Sequence, residues 1–267
     1  MTNRKIILIS ILLASLLAIS AVSAGNVFIK NDDSMHQVST MQTFMKGAYE
    51  GVVSVGEMKY NGDVGLGTFE GVNGEMIILD GVIYQAKADG SVKVAPNNET
   101  IPFATITYFD KDAELGGISA NSTDDLTSKL NGEIEKLGKN NMYVVKIKCY
   151  ADNITVRSVE KQNQPYKEFS EVAKTSQKVF NYTNQSGTIV AVYFPEHMKD
   201  INMAGWHFHF LNDAKDKGGH ILGLNITNGT AEIDEIHEFN MVLPTTDKFS
   251  DLNFTEDMTS KIKGAEK

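Results

Sequence analysis

The segment Gly205-Trp206-His207-Phe208-His209-Phe210, followed by Gly218-Gly219-His220, carries three of the six histidines in the chain. A β-strand points successive side chains to opposite faces, so His207 and His209 project from the same face of a strand. The Gly-Gly pair before His220 predicts a turn into a second apolar strand. Two strands joined in this way would bring three imidazoles to one point. Three neutral imidazoles with an open fourth position are typical of a catalytic zinc site.

A histidine on an apolar strand is usually a satisfied core or surface residue, and two at this spacing can arise by chance. The third histidine, flanked by glycines, favours metal binding because neutral imidazole is the commonest metal ligand. By contrast, His36, His197 and His237 have no such neighbours in the sequence. We interpret these three as exposed or structural residues.

The balance of charge restricts the partners of the chain. The formal net charge is -9 over 267 residues, and there is no basic run. This composition argues against nucleic acid and against an anionic membrane surface as partners. Attraction for an anionic substrate must therefore be local, from a metal or a specific arginine. Cys149 is the only cysteine, so no intramolecular disulfide is expected.

Residues 1–24 have the pattern of a secretory signal peptide. Arg4 and Lys5 precede an apolar run over residues 6–21, and Val22-Ser23-Ala24 offers small residues at a cleavage site. The alternative is an uncleaved N-terminal anchor, for which the apolar run is at the short end. Export makes glycosylation permissible at eight Asn-x-Ser/Thr sites. These sites begin at Asn98, Asn121, Asn153, Asn181, Asn184, Asn225, Asn228 and Asn253.

Strand patterns outnumber helical patterns and predict an α+β fold with few helices. Asp80-Gly81 between apolar segments predicts a hairpin. Apolar residues at helical spacing predict a helix over residues 122–136, and a weaker pattern predicts another over residues 168–179. Further strands are predicted at residues 142–150, 154–159, 188–194, 206–211, 220–226 and 230–239. We expect a mixed β-sheet region over residues 25–180, intimately packed with a strand-rich, barrel-like C-terminal half over residues 181–267, so that the two can form one domain.

Several motifs resemble, in order along the chain, those of the alpha-acetolactate decarboxylase family. The N-terminal motif is Gly-Leu-Gly-Thr-Phe-Glu-Gly-Val-Asn-Gly-Glu-Met-Ile at residues 65–77, followed by Asp-Gly-Val-Ile-Tyr-Gln at residues 80–85. Ile-Pro-Phe-Ala at residues 101–104, Arg-Ser-Val at residues 157–159 and the histidine segment complete the series, with Gln162, Gln164, Pro165 and Tyr166 beside the central motif. The matches extend from about Thr43 to Pro244 and so cover most of the mature chain.

This resemblance implies zinc-dependent decarboxylation of 2-acetolactate to acetoin and carbon dioxide, by a homodimer. It implies that His207, His209 and His220 bind Zn²⁺, while Glu75 and Arg157 lie in the site. It also implies an acid from the C-terminal tail near the metal. Glu256 and Glu266 are the candidates, and the ending Ile262-Lys263-Gly264-Ala265-Glu266 resembles the family's ending, which favours Glu266.

Other functions fit the histidine pattern alone. A His-x-His strand also suits a zinc hydrolase or a cupin-like metal oxygenase, in which iron would change the reaction. An exported binding protein with structural zinc is the alternative outside the enzymes, and its closed site would need a fourth protein ligand. Glu75 could be a solvated turn acid, Arg157 one end of a surface ion pair, and Glu266 a frayed terminal acid.

Overall fold

Two large β-sheets and a two-stranded one, with helices at their margins, form the part of the chain that the computed structural model describes, residues 33–265. The helices are α1 Met41–Met45, α2 Val55–Met58, α3 Thr123–Leu137, α4 Phe169–Ser176, α5 Asp247–Ser250 and α6 Thr259–Ala265. The strands are β1 Ser34–Val38, β2 Val53–Ser54, β3 Val64–Thr68, β4 Glu75–Leu79, β5 Val82–Ala86, β6 Val92–Val94, β7 Thr100–Ile101, β8 Phe103–Thr107, β9 Ala113–Ala120, β10 Met142–Val159, β11 Gln177–Phe194, β12 Gly205–Asn212, β13 Gly218–Ile236 and β14 Glu238–Val242. The predicted signal peptide and Glu266 lie outside the described residues.

The first sheet has seven strands in the order β14-β1-β8-β3-β4-β5-β6. It is mixed, because β1 pairs with β14 in parallel and with β8 antiparallel. The β4–β5 hairpin turns at Asp80 and Gly81, whose φ angles are 50° and 77°. Positive φ at both central residues matches the twist of a two-residue hairpin, so the predicted turn is confirmed.

The second sheet has five strands in the order β10-β11-β12-β13-β9, and β10 also pairs with β13. This additional pairing closes β10, β11, β12 and β13 into a ring of hydrogen-bonded neighbours. The predicted α+β class and the barrel-like strand region are therefore confirmed. Helix α3 packs its buried residues Leu126, Leu130 and Ile134 against this sheet, as the helical spacing predicted.

Three predicted boundaries in the second sheet are wrong. Residues 142–150 and 154–159 form one strand, β10, whose pairing with β13 shifts register beside Tyr150 and Asn153. In β13, the predicted break near Asn228 is likewise a register shift within a continuous strand. The second predicted helix ends at Ser176, because Gln177 already pairs with Val159 at the start of β11. In each case long-range strand pairing overrides the local sequence signal.

Sheet membership divides the chain differently from the predicted regions. The boundary between residues 180 and 181 falls inside β11, and β14 returns to the first sheet. A shared core joins the two sheets, with Leu66 and Ile77 from the first and Val144, Val190 and Val192 from the second. The histidine face of β12 lies at this junction. None of the helices within residues 33–265 is long and apolar enough to cross a bilayer.

A buried carboxyl group makes the stability of this junction depend on pH. Asp234 in β13 is 1% exposed, and its Oδ2 accepts a hydrogen bond from the Asp110 amide at 3.3 Å. Burial raises the pKa of Asp234 from 3.8 to about 8, and the charges of Asp112, Asp110 and Asp33 act in the same direction. Below about pH 4 the Asp234 carboxyl is protonated in both the folded and the unfolded chain, so its burial then costs the fold no stability through ionisation. As pH rises toward about 8, the unfolded chain releases its proton first and stability falls.

We therefore predict that Asp234→Asn raises the melting temperature at about pH 7.5, and that the difference from wild type shrinks toward about pH 4. Thermal unfolding followed by circular dichroism across this pH range is the measurement. The exposed Asp152 supplies the control, since Asp152→Asn removes the same charge without relieving burial. An equal shift in both variants, or none in Asp234→Asn, would contradict the argument.

Candidate active site

The alternation of β12 separates its aromatic residues from its histidines. Trp206, Phe208 and Phe210 join the core beneath α3. The alternate residues His207 and His209 project from the opposite face, toward the first sheet. The predicted alternation is confirmed. Because successive side chains of a strand point to opposite faces, burial of the aromatic rings on one face directs both histidines to the other.

His220 reaches the same point from the neighbouring strand. It is the register partner of His209 in the β12–β13 ladder. It is also the register partner of Arg157 in the β10–β13 ladder. The closed ring of strands thus places His209, His220 and Arg157 side by side on three adjacent strands.

The three imidazoles lie close enough to share one ion. Their candidate ligand atoms all fall within 4.8 Å of one another. Nε2 of His207 lies 2.9 Å from Nδ1 of His220. Within residues 33–265 this is the only group of three or more His, Cys, Asp or Glu side chains with such a spacing. The structure therefore brings together the three histidines that sequence spacing singled out.

A hydrogen bond to the first sheet fixes the tautomer of His209. Its Nδ1 lies 2.7 Å from the carbonyl oxygen of Met76 in β4. A carbonyl oxygen only accepts, so Nδ1 carries the proton and donates it. In the neutral ring, Nε2 then holds a lone pair. This Nε2 is buried and has no hydrogen-bond partner among the described residues.

Burial favours the neutral form of His207 and His209. It lowers the pKa of His207 to about 3, and the positive charge of Arg157 acts in the same direction. It lowers the pKa of His209 well below the usual value, with further contributions from His207 and Arg157. Neutral imidazole is the form that binds metals, so the site holds its histidines ready for a cation at neutral pH.

Glu75 and Arg157 complete the polar part of the site. Glu75 begins β4, next to Met76, and its Oε2 lies 3.6 Å from Nε2 of His209. Its Oε1 lies 4.0 Å from Nε of Arg157. Both side chains are buried, at 9% and 3% exposure, which removes the solvated-turn and surface-ion-pair interpretations. The arrangement places a buried carboxyl group and a buried guanidinium beside the three histidines.

Apolar side chains enclose the polar groups. A cavity of about 20 Å³ is bounded by Glu75, Arg157 and His207 and by the apolar residues Met41, Phe44, Val72, Phe103 and Phe169. The guanidinium carbon of Arg157 lies 5.5 Å from the ring centre of Phe169. Neither this apolar wall nor the Met76 carbonyl could be predicted from local sequence, because both depend on contacts between distant segments.

Two larger cavities approach the site from outside. One of about 490 Å³ reaches Arg157 between α4 and α6, where Lys174 and Lys261 also line it. Another of about 320 Å³ reaches His207 and His220, beyond the last pair of the β12–β13 ladder, and is lined by the first turn of α3. Arg157 and Lys174 give the lining of the first cavity positive charge, whereas Lys261 forms ion pairs with Glu168 and Glu256.

The two tail acids differ in what the structure describes. Glu256 forms ion pairs with Lys46 at 2.9 Å and Lys261 at 2.8 Å, and it is not part of the histidine group. Glu266 lies outside the described residues. Gly264, two positions before it, lines the same cavity as Arg157.

Comparisons with known proteins identify relatives of this chain over most of its length. Residues 35–256 match the sequence model of the alpha-acetolactate decarboxylase family. An alpha-acetolactate decarboxylase from Methanosarcina mazei is 35% identical, over 88% of this chain and 81% of that protein. One from Brevibacillus brevis is 34% identical, over 87% of this chain and 80% of that protein.

Solved structures extend the agreement to the fold. The crystal structure of alpha-acetolactate decarboxylase from Bacillus subtilis strain 168 superposes with a TM-score of 0.82 at 31% identity, covering 87% of this chain and 99% of that one. A Staphylococcus aureus protein described as similar to alpha-acetolactate decarboxylase gives a TM-score of 0.81 at 28% identity, over 87% of this chain and 100% of that one. Because most of its length matches the family model and its relatives in sequence, and a solved member in fold, the chain belongs to the alpha-acetolactate decarboxylase family.

Proposed function

We propose that this chain converts 2-acetolactate to acetoin and carbon dioxide, with Zn²⁺ held by His207, His209 and His220. Family membership supports the reaction. The metal assignment is supported by the convergence of three buried or half-buried imidazoles, one of which, His209, has an Nε2 without a hydrogen-bond partner among residues 33–265. A closed structural site or a hydrolase would share the ion but not turn over this substrate.

The donor set fits zinc. Three imidazole nitrogens with a free fourth position are the ligands of catalytic zinc sites. A histidine that binds a metal usually donates its second ring N–H to a carboxylate or backbone carbonyl, as His209 does to Met76. Glu75 is close enough to contribute an oxygen or to orient a ligand.

The chemistry requires a place for an electron pair. When carbon dioxide leaves, the electrons of the broken C–C bond flow into the neighbouring ketone and form an enediolate. Bound Zn²⁺ would supply Lewis acidity for this charge. Arg157 has donors only and is always charged, so its role is to bind the substrate carboxylate and to stabilise the developing negative charge.

The remaining residues control water and protons. The apolar side chains of Phe44, Phe103 and Phe169 leave little room for water in the inner cavity, which strengthens the attraction between Arg157 and an anion. Glu75, whose carboxyl oxygens lie near both His209 and Arg157, would hold the proton that the enediolate carbon receives. The inner cavity of about 20 Å³ holds about one water, so the substrate would extend into the larger cavities that reach Arg157 and His207.

Three further assignments belong to the same proposal. Glu266 acts near the metal as the tail acid, which the position of Gly264 beside the Arg157 cavity supports. The chain is exported, as the signal-peptide pattern of residues 1–24 indicates. It works as a homodimer, as its resemblance to the family implies.

The function is tested by acetoin formation from 2-acetolactate in the purified protein lacking residues 1–24. We predict that chelation abolishes activity, that added Zn²⁺ restores it, and that His209→Ala lowers both bound zinc and activity together. The exposed His197 supplies the control, because His197→Ala leaves zinc and activity unchanged. Absence of acetoin from folded, zinc-loaded protein would rule out the proposed reaction. Activity that survives complete removal of metal would rule out the role of zinc.

Arg157→Lys keeps the charge but loses the planar pair of donors. We predict that kcat/KM falls roughly 100-fold or more, in the range for removal of a group that stabilises transition-state charge. The matched control is Lys178→Ala on β11, which removes only an exposed ion pair with Glu160. Steady-state kinetics with unchanged zinc content is the required comparison. Near wild-type kinetics in Arg157→Lys would mean that any positive charge suffices at this position.

The two tail acids give a direct test of the fifth site residue. We predict that Glu266→Gln lowers kcat, because it removes an acid from the metal site, whereas Glu256→Gln affects only ion pairs with Lys46 and Lys261. Both variants are compared by kcat and by zinc affinity. Loss of kcat in Glu256→Gln alone would reverse the assignment.

A further inference from the structure

Glycosylation motifs are more frequent in this chain than its composition explains. The sequence contains 21 Asn residues and, among 267 residues in all, 36 Ser or Thr. Independent placement would put a hydroxyl residue two positions after about three of these asparagines, whereas eight have one without an intervening proline. Seven of the eight sites carry Thr and only the site at Asn184 carries Ser.

The structure presents every one of these asparagines to solvent. All eight side chains are exposed. Within residues 33–265, none of their side-chain amide nitrogens donates a hydrogen bond. The asparagines whose side-chain amides do donate all lie outside such motifs: Asn61, Asn141, Asn202, Asn212 and Asn240. The nitrogen that a glycan would occupy is therefore available at each site.

Five of the eight sites gather where β10, β11 and β13 run side by side. We name this group the sequon cluster: Asn153, Asn181, Asn184, Asn225 and Asn228. Asn153 is the register partner of Asn225 on β13 and of Thr183 on β11. Asn181 and Asn184 expose their amide nitrogens while their oxygens accept hydrogen bonds from Thr155 and Tyr150.

Local backbone geometry explains only part of this pattern. Asn184 and Asn228 have φ angles of 55° and 53°, a region that asparagine tolerates better than most residues. That preference accounts for the asparagines but not for the hydroxyl residue two positions later. Thr is common in strands, yet Thr255 of the Asn253 motif lies outside any strand.

We propose that the sequon cluster is a surface for N-linked oligosaccharides, with at least one of its five asparagines occupied in the native protein. The inference goes beyond decarboxylation and rests on the proposed export of the chain. The exposed amides would accept the sugar from a polyprenyl-phosphate-linked oligosaccharide. Donors of this class are used outside the cytoplasmic membrane. No residue of the candidate active site takes part.

Transfer of the sugar to asparagine is a substitution at C1 of the sugar and requires no oxidant or reductant. The asparagine amide nitrogen forms a bond to C1 of the first sugar. The bond from C1 to the phosphate oxygen breaks, and the lipid phosphate leaves with its electron pair. The amide nitrogen loses one proton to a base of the transferring enzyme. The hydroxyl residue two positions along is the feature by which such enzymes recognise the acceptor.

The test is mass spectrometry of the protein recovered from the cells that produce it naturally. Protein retained inside the cells (the inside fraction) and protein exported from them (the outside fraction) are analysed separately. We expect the outside fraction to exceed the mass of the leaderless chain, with glycopeptides that assign sugar to the cluster. Asn163 is exposed but lies in no motif, so its peptide must remain unmodified. Asn→Gln at an occupied position should remove one glycan mass and leave acetoin formation unchanged.

Conservative variants separate recognition from folding. Should Asn153 be occupied, Thr155→Ser keeps its motif and must keep the sugar, whereas Thr155→Ala must lose it. An outside fraction with unmodified peptides at all five cluster sites would overturn the proposal while leaving export intact. Protein found only inside the cells, with its first 24 residues attached and no sugar, would overturn both. Either result leaves the decarboxylase assay unaffected.

Discussion

The hydrogen bond from His209 to the Met76 carbonyl joins the two large sheets at the histidine cluster of the candidate active site. It spans 2.7 Å between β12 and β4, which lie in different sheets. Because it fixes the proton on Nδ1, it also turns the Nε2 lone pair toward the other histidines. The same register of β4 brings Glu75, the residue before Met76, within 3.6 Å of that Nε2. One contact therefore sets the tautomer, the direction of the ligand atom and the nearest carboxylate.

Closure of the strand ring supplies the other half of the geometry. His220 is paired with His209 on one side and with Arg157 on the other, so the spacing of these groups follows from backbone pairing. Rigid strands suit a site in which small displacements cost rate. The polar groups lie behind aromatic side chains, and burial favours the neutral form of His207 and His209. Within this otherwise acidic chain, Arg157 supplies a buried positive charge beside the histidines.

Local pattern was enough to predict the parts of this structure that depend on short-range geometry. The alternation of Trp206 to Phe210, the Asp80-Gly81 hairpin and the apolar face of α3 could all be read from neighbouring residues. The strand pairings could not. Gln177 begins a strand because Val159 is opposite it, and Asn153 continues one because the partner strands absorb the irregularity as register shifts. No feature of either segment alone carries that information.

The same division holds within the site. Spacing indicated the three histidines, and only resemblance pointed to Glu75 and Arg157, which lie 82 positions apart in the sequence. The Met76 carbonyl and the Phe169 wall had no local signal, since a backbone carbonyl looks alike in every residue and a wall depends on the packing of distant helices. Local spacing therefore indicates candidate metal ligands more readily than the tertiary contacts that orient them.

In the proposed active site one zinc ion binds between the sheets on these three histidines, with a position left for substrate. Anomalous diffraction at the zinc absorption edge, from crystals of the zinc-loaded protein, is the decisive measurement. We expect a single strong peak per chain, about 2.0–2.1 Å from nitrogens of His207, His209 and His220, with Nε2 as the ligand atom of His209 and Nδ1 still bonded to Met76. A peak elsewhere, or a His209 ring bound through Nδ1, would contradict it.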